Sequence, residues 1–324
     1  MDNEINGVVN IYKERGYTSH DVVAVTRKIL NCSKVGHTGT LDPAAEGVLP
    51  ICVGKATKIS EYLTSEIKAY RAVVHLGITT DTGDCTGEIK TRTPFPVEDL
   101  PISSDQAIRE TVYSFMGEYL QTPPMYSAIK IGGKKLYNLA RKGIEVARKE
   151  RVVNIYEIQV LNIEYGTEFQ GDGEDFARCA KVLIYVLCSK GTYIRALCAD
   201  IGEKLGCGAC MGQLVRTRSG DFCIDDSMTL NDLARAVSQN TLDSALIPIE
   251  ETLGGLKRVF VYEPADKFLY NGNKISVNYL EDKGGSLNAG ENVLVYDSYK
   301  TLCGIYNVSF EDDKRIIKPA TMLL

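Results

Sequence analysis

The residue pattern predicts an α+β protein: a mixed sheet with flanking helices, followed by a small all-β unit. Three observations support this. Runs rich in β-branched and aromatic residues recur at GVVNIY (7–12), AYRAVVHLGI (69–78), VVNIYEIQVLNIEY (152–165) and AKVLIYVLCS (180–189), the composition of strands. Helical patterns lie among them without strict strand–helix alternation, which argues against a doubly wound parallel sheet. From about Val259 the runs RVFVYE, ENVLVYD, TLCGIYNVSF and RIIKPATMLL are separated by Asn, Gly and Asp turns, the mark of a compact β unit.

In chain order, Thr18-Ser19-His20-Asp21 has capping-box spacing and opens a helix through HDVVAVTRKIL that ends near Asn31. In GHTGTLDPAAEGVLP (36–50), Asp42 and Pro43 precede Ala44, Ala45 and Glu46. Read locally, that is a helix start: aspartate accepts from orphan N–H groups, and proline at the first position loses no bond. TEFQGDGEDFA (167–177), acidic and Gly-containing, reads as the exposed loop of a hairpin. YIRALCADIGEKLG (193–206) is a helix closed by Gly206, and DLARAVSQNTLDSALIPIEE (232–251) is helical before the β unit begins.

The chain's 324 residues allow one large and one small domain. No apolar run approaches a bilayer span, and MDNEINGVVNIYKERG is not a secretory signal, so the expected location is the cytoplasm. Ten scattered cysteines, several inside apolar stretches, fit buried thiols in a reducing compartment. Cys207-Gly-Ala-Cys210 is the only CxxC, and His20, His37 and His75 lie far upstream without ligand spacing, so no metal is expected.

Net charge is −5, but residues 130–151 hold eight basic and two acidic side chains, a net of +6 on a remainder of −11. A basic island on an acidic protein focuses attraction for a polyanion at one place. Gly132-Gly133, Tyr137 and Gly143 interrupt it, which suits a bent protrusion better than a straight helix face. Residues 257–324 carry nine basic and nine acidic side chains, so charge alone does not make that unit an RNA binder.

Several chemistries fail on spacing. GVLPICVGKAT (47–57) has six residues between its glycines and Ala56 after Lys55, unlike a P-loop. TTDTGDCTGE (79–88) puts Gly83 and Cys85 where a calcium loop needs oxygen ligands. There is no G-x-S-x-G and no HExxH. What remains is one carboxylate in a Gly/Thr/Pro loop, arginines, tyrosines and a basic protrusion. An aspartate is a nucleophile when it stays ionised, which in a buried setting needs a neighbouring guanidinium, and tyrosines stack on planar substrates. These parts suit a reaction on a nucleobase.

Five blocks, in order, resemble the bacterial tRNA pseudouridine-55 synthase family: GHTGTLDPAAEGVLP with VGKATK, KAYRAVVHLGITTDTGD, PPMYSAIKIGGKKLYNLARKG, SKGTYIRALCADIGEKLGCGA and LVRTRSGDF. YNGNKIS and IIKPATMLL resemble, more loosely, the family's small PUA-type RNA-binding domain. The resemblance implies a mainly antiparallel central sheet with flanking helices in a catalytic domain over 1–252, with an RNA-binding insertion near 123–151 and a PUA-like domain over 253–324. It implies isomerisation of a T-loop uridine of tRNA to pseudouridine by a stand-alone enzyme, without cofactor or obligatory protein partner and as a monomer. Asp42 matches the family's nucleophile, Arg195 the arginine paired with it, and Tyr70 the tyrosine against the target base. His37 matches the histidine beside the flipped nucleotide, and Tyr193 and Leu214 match residues lining the uracil pocket; for Leu214 a core position fits nearly as well. Lys130, Lys134, Lys135, Arg141 and Lys142 fall in the RNA-binding insertion. One departure stands out: the family usually has Lys-Pro near the N-terminus, whereas Glu14 follows Lys13 here, which leaves the turn beside the catalytic loop to be held by other means.

Overall fold

The computed structural model describes residues 5–64, 67–93, 104–127, 129–140, 143–144, 146–170, 176–282, 285, 287–311 and 314–324. Its strands are β1 (Gly7–Lys13), β2 (Val35–His37), β3 (Glu46–Val53), β4 (Lys68–Leu76), β5 (Ile78–Thr80), β6 (Ile89–Arg92), β7 (Gly117–Gln121), β8 (Lys130–Ile131) and β9 (Lys134–Lys135). They continue as β10 (Arg151–Gln170), β11 (Phe176–Cys188), β12 (Ala209–Ser219), β13 (Phe222–Cys223), β14 (Lys257–Phe260), β15 (Ile275–Ser276), β16 (Asn292–Tyr296), β17 (Leu302–Glu311) and β18 (Lys314–Met322). The helices are α1 (Ser19–Leu30), α2 (Ser60–Thr64), α3 (Asp105–Tyr113), α4 (Leu136–Ala140), α5 (Ile194–Lys204), α6 (Leu230–Ser238), α7 (Ile249–Thr252) and α8 (Asp266–Tyr270).

The large sheet runs β1-β3-β12-β4-β11-β10-β7, with β2 on β3 and β13 on β12. Every pairing is antiparallel except β12 with β3, where Val215 faces Glu46 and Arg216 faces Gly47. The expected mixed, mainly antiparallel sheet is therefore present, and among the described residues its one parallel join, β3 with β12, lies toward the β1 edge. One core holds sheet residues such as Ile11, Ile51, Val74 and Ile184 against Val22 of α1, Ile108 of α3, Leu197 and Ile201 of α5 and Leu233 of α6. α1 begins with the capping box read from the sequence, Thr18 and Asp21 bonding each other's backbone N–H, and Asn31 closes it in the left-handed region at φ 46°.

Some expectations are corrected. No helix follows Asp42: residues 42–45 form a single turn, Ala45 N–H donating to the Asp42 carbonyl at 3.0 Å, and the chain enters β3 at once. The reason lies beyond the Ala-Ala-Glu signal. Gly47 sits at φ +103°, and Val48 to Val53 form a continuous apolar run that is more stable paired to β1 than wound as a helix. The helix expected over 232–251 is two short ones, because Asn240 is left-handed and Pro248 precedes α7. The loop between the long strands is shorter than expected, since β10 and β11 stay paired out to Gln170 and Phe176; residues 171–175 lie outside the described residues.

The C-terminal strands form a separate sheet, β14-β16-β17-β18-β15, over their own core of Val259, Leu269, Val293, Tyr306 and Ile317. Short helical turns and α8 interrupt what reads as purely β in the sequence. A further apolar cluster joins this unit to the large sheet, with Val8, Val48, Cys52 and Ile59 packed with Leu294, Ile305 and Leu323. Lys58 Nζ also donates to the Met322 carbonyl at 2.8 Å.

Candidate active site

The central strands bring distant residues to one place. β12 pairs with β4 so that Leu214 faces Ala72 and Arg216 faces Tyr70. The parallel join sets the start of β3, just after Asp42, beside the same stretch of β12. Gly47 makes this approach feasible: a Cβ there would lie 2.2 Å from the Arg216 carbonyl oxygen. Asp42, Tyr70, Tyr193, Arg195 and Leu214 then line one cavity of about 560 Å³, together with Met211 and Arg216. Leu214 also belongs to the main core, so one side chain serves both cavity wall and core.

The Asp42 loop is clamped on both sides. Leu41 N–H donates to Ser19 Oγ at 2.9 Å. Pro43's carbonyl accepts from Gly16 N–H at 2.9 Å and from Lys13 Nζ at 3.3 Å. Lys13 is fully buried and also donates to the Tyr17 carbonyl at 2.6 Å and the Glu14 carbonyl at 3.1 Å. It therefore holds the turn that a proline at position 14 would have shaped. Burial lowers its pKa to about 8, against the opposing pull of Glu46 and Asp42. A cation this deep is tolerated because three carbonyls take its protons.

Arg195, 8 % exposed at the start of α5, is the hub. Its Nη2 pairs with Asp42 Oδ2, its Nε lies 3.2 Å from Asp84 Oδ2, and its Nη1 donates to the carbonyls of Tyr126 at 3.2 Å and Thr82 at 3.4 Å. Asp84 was not singled out in the sequence, although its loop reads both as a failed calcium site and as the end of a family-like block. It is buried, and its Oδ1 accepts from Thr82 Oγ1 at 2.9 Å, Thr86 N–H at 3.0 Å and Thr86 Oγ1 at 2.6 Å. Thr82 and Thr86, each two residues from it in TTDTGDCTG, are the signal that could have pointed to it. Asp42, by contrast, keeps 45 % of its side chain exposed. One carboxylate anchors the guanidinium from within the protein, and the other is presented to the cavity.

Tyr70 is buried, which raises its pKa, while the Arg216 guanidinium pulls the other way. Arg216 is itself 1 % exposed and donates from Nε to the Val48 carbonyl at 2.7 Å. His37 is not among the residues lining the cavity. It sits on β2, half-buried, its Nδ1 accepting from Gly39 N–H at 3.3 Å and its ring edge-on to His20 at 5.4 Å. Burial lowers its pKa, with His20 and Arg216 adding to the effect. In the insertion, Lys130 and Lys134–Lys135 form a two-stranded hairpin turned by Gly132-Gly133, both at positive φ; Arg141 and Lys142 lie outside the described residues. The nine described cysteines are free, and no cluster of His, Cys, Asp and Glu that could hold a metal ion occurs among the described residues.

A half-exposed carboxylate held by a buried guanidinium lines the cavity together with a buried tyrosine, the site of an enzyme acting on a planar substrate. Residues 27–194 match the model of the TruB family pseudouridylate synthase (N terminal domain), and residues 195–254 that of the tRNA pseudouridylate synthase B C-terminal domain. The chain belongs to the TruB family of pseudouridine synthases. It is 50 % identical over 278 residues to the tRNA pseudouridine synthase B of Alkaliphilus oremlandii, covering 86 % of this chain and 85 % of that one. It is 43 % identical over 321 residues to the namesake of Lachnoclostridium phytofermentans, covering 99 % of this chain and 100 % of that one. Among solved structures, a Cbf5-Nop10-Gar1 complex aligns with a TM-score of 0.70 at 29 % identity, covering 98 % of this chain and 85 % of that one. That coverage takes in the small C-terminal sheet, consistent with a PUA-like appendage.

Proposed function

We propose that this protein converts the uridine at position 55, in the T-loop of tRNA, into pseudouridine, acting without guide RNA or protein partner in the cytoplasm. The observation that carries the reading is the Asp42–Arg195–Asp84 arrangement opening onto a nucleoside-sized cavity. Identity to the stand-alone bacterial relatives at 43–50 %, against 29 % to the chain from the Cbf5-Nop10-Gar1 complex, favours this over an RNA-guided enzyme.

A uridine stacked in RNA cannot present its ring or glycosidic carbon to Asp42, so the nucleotide has to rotate out, losing a few kcal/mol of stacking. Single-stranded loops permit this at least cost. Tyr70 then packs against the base, with Leu214 and Tyr193 as walls, and His37 fills the vacated space. Held by Arg195, Asp42 acts on the uridine. The glycosidic bond breaks, uracil turns within the cavity, and C5 bonds to C1′. The C5 proton must then leave. Tyr70, the candidate base by position, takes it only as the phenolate, a form that burial disfavours and the Arg216 guanidinium favours.

The 123–151 insertion supplies the polyanion contact through Lys130, Lys134, Lys135, Arg141 and Lys142. The 1–252 segment is the catalytic unit and 253–324 an RNA-binding accessory. The test is tritium release from a T-loop transcript labelled at C5 of uridine, with pseudouridine mapped in the product. Wild type releases tritium from one position; Asp42→Asn binds the transcript and releases none. Equal release from both proteins overturns the assignment.

A further inference from the structure

Both stems of the insertion grip the short turn that carries Tyr193 and Arg195. Gln121, the last residue of edge strand β7, is fully buried. Its Nε2 donates to the Tyr193 carbonyl at 3.0 Å and its Oε1 accepts the Tyr193 N–H at 2.8 Å. That carbonyl also accepts the first helical bond of α5, from Leu197 N–H at 3.1 Å. Tyr193 is the N-cap residue of α5 and has no side-chain cap of its own, so an amide from 72 residues away does part of a cap's work. Five residues further on, the Tyr126 carbonyl accepts from Arg195. Where the chain returns from the insertion, Arg151 is the register partner of Gln121. Its guanidinium lies 4.5 Å from the centre of the Tyr193 ring, and its Nη2 donates to the Gly191 carbonyl.

We infer that Gln121 and Arg151 are positioning residues for the reaction, a two-sided clamp at the base of the RNA-binding insertion that sets Tyr193 and Arg195 against Asp42. Gln121 does not line the cavity, and Arg151 lines it beside Tyr193. Gln121 fixes the backbone from which Arg195 projects; Arg151 fixes the ring of Tyr193 and the turn before it. The clamp also gives the insertion a rigid connection to the carboxylate's partner, so that RNA contact and catalytic geometry share one support.

The inference rests on the proposed isomerase activity, and the experiment separates the two. Single-turnover tritium release, tRNA binding and thermal unfolding are measured for wild type, Gln121→Met, Arg151→Met, Arg195→Lys and the double variant Gln121→Met/Arg195→Lys. Methionine keeps the bulk of each side chain without its hydrogen bonds. The expected result is a loss of about tenfold to a hundredfold in the single-turnover rate for each methionine variant, with tRNA affinity of Gln121→Met within about twofold of wild type and unfolding still cooperative in both. In the Arg195→Lys background, Gln121→Met adds little further loss, because its effect passes through residue 195. Wild-type rates in both methionine variants overturn the clamp. So does a rate loss matched by an equal loss of affinity or of folded protein, or full multiplication of losses in the double variant. A wild type that releases no tritium overturns the isomerase reading instead, and with it the basis of the clamp.

Discussion

Replacing Asp84 by asparagine tests whether the active carboxylate depends on a second one that never meets substrate. The change is nearly isosteric. Oδ1 retains its bonds from Thr82 and Thr86, but the Oδ2 that faces Arg195 Nε at 3.2 Å becomes an amide N–H, a donor against a donor. Both partners are 9 % exposed, so water cannot replace the lost charge. Removing one member of a buried ion pair costs about 3–5 kcal/mol. Arg195 keeps Asp42, the Tyr126 carbonyl and the Thr82 carbonyl, which discounts the figure to about 2–3 kcal/mol expressed in the placement of the guanidinium. At 1.36 kcal/mol per decade, that is a fall of roughly 30- to 150-fold in the chemical step. Single-turnover tritium release measures it, with tRNA binding as the control. A loss under about threefold, or one confined to binding, refutes the reasoning.

Other expectations follow from particular contacts. Gly47→Ala places a methyl against the Arg216 carbonyl at a φ of +103°, and should destabilise by about 3 kcal/mol or more, read as a clearly lowered Tm; an unchanged Tm contradicts the close approach. Lys13 binds its proton less tightly folded, at about 8, than at its ordinary 10.5. Between those values the unfolded chain holds more protons, so the wild type should gain stability relative to Lys13→Met as pH rises, by up to about 3 kcal/mol. A difference independent of pH in chemical denaturation would contradict this. His37, lowered by burial, should show an NMR titration midpoint below that of an exposed histidine, and its protonation should cost stability as pH falls through the ordinary value near 6.5. Charge reversal at Lys134, Lys135 and Arg141 should weaken tRNA binding and flatten its salt dependence; unchanged binding removes the role given to the insertion.

What was legible in the sequence depended on how far the information reached along the chain. The Thr18–Asp21 box and the Asn31 stop describe a helix whose signals lie within a turn of its ends, and they held. The Asp42-Pro43 start failed for the same reason in reverse: a sound local signal was overruled by the pairing of Val48 to Val53 with β1, a tertiary preference that three residues cannot express. The site follows the same division. Asp42 and Arg195 were found because their motifs carry a family resemblance across 153 positions, not because any spacing predicts an ion pair. Asp84 closes one of the same blocks, KAYRAVVHLGITTDTGD, but nothing there marks its role, and Gln121 lies outside them all. One sits among threonines that only make sense once its oxygen is known to be held, the other at the end of an edge strand.

The hidden residues share a physical role, which explains why pattern reading passes over them. Asp42 must be reachable, and its loop accordingly has the Gly, Thr and Pro of an exposed segment. Groups that hold Arg195 must exclude water to be effective, because an ion pair weakens several-fold as the effective dielectric rises toward that of the surface. They come singly from separate elements: buried Asp84 from the loop after β5 and Tyr126 by its backbone carbonyl, with buried Gln121 of β7 fixing the Tyr193 backbone two residues before. A solvent-facing carboxylate 45 % exposed would otherwise lose its guanidinium to competing water. Fixing the cation from behind lets the anion in front remain open to the cavity, and that division of labour accounts for an ion pair in which one member is buried and the other is not.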